Sequence, residues 1–211
     1  MHTSSDIDAG LARLRHREGQ LLEAAGVVLR AGNGPFLPSH FLVIGTAKKA
    51  IAVQSGFSRL IEERNLMCAG ALLRLHVDTV ARFSALWLVA DAELFAGQVI
   101  KRARVDRLKD RSGARLTDRH LVKKLAEQLP WVESVYDVTS GFVHLSHEHI
   151  LAAFRGTQEN DEALRIEIGA HDPHVSESSF VEAIEAFEHL TSILQDMFGH
   201  WANRVREISK A

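Results

Sequence analysis

The stretch from Leu66 to Ala90 constrains the fold more than any other part of the chain. It is apolar over most of its length, yet it carries Arg74, His76, Asp78 and Arg82. A charged side chain at the centre of a bilayer costs about 3 kcal/mol, so a run with this many ionisable groups belongs in a protein core. Apolar nearly all round, it is expected to be the central helix of a bundle, from about Leu66 to Phe95. Arg74, Asp78 and Arg82 stand four apart and therefore share one stripe of that helix. Charges buried there need partners, and two arginines share a single aspartate. The stripe is expected either to receive an acid from another helix or to bind an anion, with Arg74, Asp78 and Arg82 as the anion-site candidates.

Helical periodicity recurs along most of the 211 residues. Leu11, Leu14, Leu21, Leu22, Val28 and Leu29 mark a first helix over about 6–30, which Gly32-Asn33-Gly34-Pro35 breaks. Ser39 is expected to cap a second helix ending near Arg64. The central helix is expected to continue through the basic stretch to about Arg107 and fray into a flexible loop over 109–113. Thr117 caps a short helix to Gln128, and Pro130 starts another over Trp131 to Val143. His149–Arg155 and Leu164–Ile168 flank a polar turn with Gly156 and Asn160, which reads as a β-hairpin over about 149–168. Ser179-Phe-Val-Glu182 has the capping-box pattern, and a last helix is expected over about 178–208. Four prolines and one tyrosine fit a chain that favours helix. The expected fold is all-α, one domain over 1–211, with six or seven helices and a small β-hairpin insertion.

A second polar row stands on the helix after Pro130. Tyr136, Ser140 and His144 repeat the spacing of four, so their side chains are expected to line one face. Two readings are open. In one, the row is a buried polar seam that hydrogen-bonds within itself or to the Arg74/Asp78 stripe. In the other, His144 acts as an acid or base in a pocket, with Ser140 and Tyr136 as its catalytic companions. No nucleophile elbow or oxyanion loop accompanies Ser140.

The formal net charge of −2 hides an asymmetry. Lys101–Lys124 holds ten Lys/Arg against three Asp, a balance of +7, whereas 127–200 holds fourteen acids against Arg155 and Arg165. Such segments attract each other or a second subunit, so a homodimer is one expected partner. RNA or a phosphate ligand along Lys101–Lys124 is another, although the interleaved aromatics of single-strand binders are missing. His144, His147, His149, His171 and His174 resemble ligands by type, but they lack a His-Glu-x-x-His pattern, and no metal or cofactor is expected. The lone Cys68 and an N-terminus without a basic or apolar leader point to a cytoplasmic chain with no membrane span.

Leu72-Leu-Arg-Leu-His-Val-Asp78 together with Tyr136-Asp-Val-Thr-Ser-Gly-Phe-Val-His-Leu-Ser146 resembles a bacterial family of uncharacterised all-helical proteins. Its members pair an Arg-x3-acid helix with a Tyr-x3-Ser helix followed by His. That family is distantly similar to HEPN-type domains, helical dimers that often act as metal-independent ribonucleases through Arg-x4-6-His. The chain carries this spacing at Arg115-x4-His120 and Arg165-x5-His171, both outside the Tyr136 helix. The resemblance implies a helical bundle, and two function classes follow. One is a non-catalytic accessory or binding protein with an internal polar network. The other is a HEPN-like ribonuclease or other phosphoryl-transfer enzyme in bacterial defence, with His144 as acid/base and Arg74 or Arg82 on the phosphate.

Overall fold

The structure is a computed structural model that describes residues 2–32, 34–147, 149–150, 166 and 168–210. Among these residues the chain is helical: α1 (Ser4–Leu29), α2 (Pro38–Glu62), α3 (Leu66–Leu88), α4 (Ala92–Ile100), α5 (Asp118–Ala126), α6 (Trp131–Val143) and α7 (Glu177–Ile208), with a 3-10 turn at Val105–Arg107. The all-α class follows from the sequence as expected. Of the expected β-hairpin, His149 and Ile150 are helical, while 151–165 and 167 lie outside the described residues. No helix among the described residues is long and apolar enough to cross a membrane.

Several helix ends differ from expectation, each for a local reason. At α2, Ser39 is not the cap. Pro38 takes the first helical position, and the Leu37 N–H donates to His40 Nδ1 at 2.8 Å. Ser39 is buried, and its N–H reaches across to Glu93 Oε2 on α4 at 2.9 Å. The central helix ends at Leu88 instead of running to Phe95, because its last carbonyls find a cation from a distant loop. Arg111 donates from Nη2 to the Trp87 carbonyl at 2.6 Å, from Nε to Leu88 at 3.1 Å and from its backbone N–H to Leu88 at 3.0 Å. A guanidinium at a helix C-terminus both satisfies orphan carbonyls and opposes the dipole. Asp91 then restarts the chain as α4 by accepting from the Leu94 N–H at 2.9 Å.

The basic stretch is not one helix to Arg107 either. α4 stops at Ile100, and Arg102 adopts a left-handed φ of 68°. Nor is 109–113 a loose loop. Asp110 Oδ1 accepts from the Ser112 N–H (2.8 Å), the Ser112 hydroxyl (2.6 Å) and the Ala114 N–H (3.0 Å), and Gly113 supplies the positive φ of 88°. At α7 the cap is Ser176, whose hydroxyl accepts from the Ser179 N–H at 3.3 Å, so Ser179 lies inside the first turn rather than before it. Thr117 does cap α5, accepting from the His120 N–H at 3.3 Å.

These helices close on one apolar core that includes Leu14, Val43, Phe57, Val80, Phe83, Leu121, Val132, Phe187, Phe198 and Trp201. Aromatic pairs run along it: Phe57 stacks on Phe187 with centroids 4.5 Å apart, Phe83 meets Phe198 edge-on at 4.9 Å, and Trp87 meets Trp201 at 5.3 Å. α7 runs parallel to α3, as these pairings show, and parallel to α1. Gly10 lies against Ile184 at one end of the α1–α7 pair and Gly32 against Val205 and Ser209 at the other. α6 lies antiparallel on α3, where Gly70 faces Phe142 and Arg74 faces Ser140.

Candidate functional site

The two polar rows meet, but without His144 on the face that Tyr136 and Ser140 share. Arg74 is buried in the middle of the α3–α6 contact. Its Nη1 pairs with Asp78 Oδ1 one turn along α3, and its Nε donates to Ser140 Oγ on α6 at 3.2 Å. The guanidinium also lies over the ring of Tyr136, 3.7 Å from its centroid. Ser140 is fully engaged, since its hydroxyl donates to the Tyr136 carbonyl at 2.7 Å while accepting from Arg74. A serine whose proton is committed to its own helix has none to give to a base.

His144 leaves the row. α6 ends at Val143, and His144 takes an extended backbone (φ −113°, ψ 146°) with an exposed side chain, so the spacing of four no longer places it over Ser140. The helical periodicity that aligned the three residues in sequence simply stops one residue short. Arg82 also parts from Asp78. It forms a two-point pair with Asp118 at the start of α5, Nε to Oδ1 at 2.8 Å and Nη2 to Oδ2 at 3.0 Å. That bond pushes the Arg82 pKa further up. Asp118 is thus the acid from another helix that the two-arginine stripe required. The charge count alone demanded such a residue; its identity was not marked in sequence.

Two further arrangements escaped sequence reasoning. His76 lies wholly buried on the opposite side of α3, stacked on Phe187 at 4.2 Å and 9° and 3.0 Å from Thr191 Oγ1. Thr191 donates its own proton to the Phe187 carbonyl, so His76 Nε2–H is the donor. Burial, and then the positive charge of Lys49, hold its pKa down to about 3. Lys49 itself, on α2, has its pKa lowered by burial and by Arg82 beside it, against the opposing pull of Asp78 and Asp118.

The Lys101–Lys124 stretch is more self-paired than its charge suggests. Arg104 binds Asp106, Arg111 caps α3, and Lys124 binds Glu127. Within it, His120 Nε2 donates to Asp110 Oδ2 at 2.8 Å. The Ser112 hydroxyl and the His120 ring, with the loop amides, hold the Asp110 carboxyl well below its ordinary range. Arg115, which shares the Arg-x4-His spacing with His120, is exposed.

The histidines expected to resemble a metal set have other uses where described. His171 Nδ1–H donates to the Glu63 carbonyl at 2.6 Å, and His149 Nδ1 accepts from the Ser146 N–H at 3.3 Å. Among the described residues no three His, Cys, Asp or Glu are gathered as a metal would need. Two cavities border α3. One, of about 580 Å³, opens between α3, α6 and α7 past Met67, Phe142 and Glu182. The other, of about 360 Å³, lies between α2, α3 and α4, with Lys49 and Arg82 at its edge. No family model, curated protein or solved structure matches the chain.

Proposed function

We propose that the chain is a non-catalytic binding or accessory protein whose Arg74–Asp78 and Tyr136–Ser140 rows brace α6 against α3. The placement of Arg74 between α3 and α6 carries this reading. One guanidinium meets a carboxylate, a hydroxyl and an aromatic face, and the hydroxyl it meets already donates to its own helix. The lone, exposed Cys68 suits a reducing compartment, which we take to be the cytoplasm. Opposite charge on 101–124 and 127–200 suits a homodimer.

A second reading is ribonuclease or other phosphoryl-transfer chemistry of the HEPN-like kind. One observation favours it: a carboxylate-held imidazole, Asp110–His120, inside the most basic part of the chain. One experiment separates the two. Purified protein incubated with a mixed RNA pool, with and without magnesium, is expected to leave the RNA intact. Cleavage that disappears in His120→Ala or His144→Ala, with the melting temperature unchanged, would replace the first reading by the second.

A further inference from the structure

Beside the two paired arginines of α3 stands an exposed lysine of α2. Arg74 pairs with Asp78 and Arg82 with Asp118, while Lys49 stands beside both pairs as a third cation. Among the described residues no carboxylate lies within ion-pair distance of Lys49. Lys49 lines the 360 Å³ pocket together with Arg82, Thr46 and Thr79. The remaining wall is hydrocarbon, chiefly Leu42, Phe83, Phe95 and Val99. At the mouth the apolar surface continues outward. Phe41 is 53% exposed and Ile100 51%, and Phe36, Ile44 and Leu94 are exposed as well. Scattered exposed apolar residues need no explanation, but Phe41 and Ile100 line the cavity itself and Phe36 stands 5.9 Å from Phe41, which gives the mouth an apolar rim.

From this arrangement we infer that the α2–α3–α4 pocket binds a single-chain amphiphilic anion, a monocarboxylate with a medium-length hydrocarbon tail, its head on Lys49 and Arg82 and its tail along Phe83, Phe95 and Val99. The site falls within the usual range for small-ligand pockets, roughly 300–1,000 Å³, and has their usual make-up of apolar walls and few polar groups. A single negative head matches the one cation of the lining, Lys49, that no carboxylate among the described residues holds. The inference rests on reading the chain as a binding protein, but not on the Arg74 brace.

Sodium decanoate, below its micelle concentration, tests it by titration calorimetry on the full chain, with acetate and decanol as half-ligands. Decanoate is expected to bind at least tenfold more tightly than either. Lys49→Gln should weaken decanoate about tenfold and leave decanol unchanged. Gly45→Leu provides a variant that does not depend on charge. Gly45 lines the pocket, and a Cβ there would meet no atom within 4 Å, so a larger side chain can be added at the pocket wall without a clash at its root. Its binding should be lost while its melting temperature does not fall. Silence with decanoate overturns the inference, as does decanoate binding that both variants leave intact. Uptake by anionic phospholipid vesicles alone, or a wild-type dimer that Gly45→Leu dissociates while decanoate stays silent, also overturns it, assigning the patch to a membrane or a second copy. Any of these results with RNA left uncut leaves the binding-protein reading standing, whereas RNA cleavage removes that reading and not the pocket.

Discussion

Arg74 lies face-on over Tyr136, its guanidinium carbon 3.7 Å from the ring centroid, while its Nε holds Ser140 one turn further along the same helix. The contact uses the ring and leaves the phenolic hydroxyl out of it. Tyr136→Phe should therefore be nearly silent in stability, within about 0.5 kcal/mol. Arg74→Ala strands Asp78 without its partner and should cost roughly 3 kcal/mol, a fall of about 6–12 °C in melting temperature. Thermal denaturation of both variants checks the pair. A Tyr136→Phe loss as large as that of Arg74→Ala would mean that the hydroxyl has a role the brace does not give it.

The second fastening of α6 is Gly70. A Cβ there would stand 2.5 Å from Phe142 Cδ2, closer than any relaxed contact. Gly70→Ala should cost about 1–3 kcal/mol through overpacking. Gly199, on α7, has open space where its Cβ would be, so Gly199→Ala should instead gain about 0.5–1 kcal/mol from helix propensity. Chemical denaturation of the two variants should move their midpoints in opposite directions.

Stability should also depend on pH through His76. Its folded pKa of about 3 lies below the unfolded value of about 6.5, so the unfolded chain binds the proton more readily. The contribution is complete above pH 6.5 and declines as pH falls from there toward 3. The slope is about 1.4 kcal/mol per pH unit from this group. Lys49 is the cation that reinforces the effect, and the ring otherwise meets Phe187 and Thr191. Urea unfolding of wild type and His76→Gln between pH 4.5 and 7.5 should show a shallower slope in the variant.

Asp110 makes the loop after the basic stretch a fixed turn. In Asp110→Ala, amide hydrogen exchange at Ser112 and Ala114 should quicken on the order of tenfold, since both N–H groups lose their acceptor. Unchanged exchange rates would show that Gly113 and the Lys109–Arg115 bridge hold the turn without the carboxylate.

Much of the bundle was legible because apolar residues at helical spacing face one core. α1, α5, α6 and α7 lie close to where periodicity put them. The helix ends were harder, since the groups that set them come from elsewhere in the chain. Nothing near Leu88 announces a stop, because Arg111 provides it from more than twenty residues away. The meeting of the two polar rows could be read from their shared period. The departure of His144 could not, because it depends on where α6 frays, and Asp118 became visible only once α5 lay beside α3. Lys49 carried no sequence signal beyond being a cation within an apolar helix.

The parallel run of α1 and α7 has a consequence for how the chain is made. Arg13 and Glu188, which pair across these helices, are 175 residues apart. A ribosome that has released α1 has not yet produced the surface that covers Ile7, Leu11 and Leu14. That face is only part-covered, by α2 through contacts such as Gln54 with the Leu14 carbonyl, until the far end of the sequence emerges. Closure of the bundle is then a late, long-range event, and a truncation that removes α7 exposes the beginning of the protein as surely as its end.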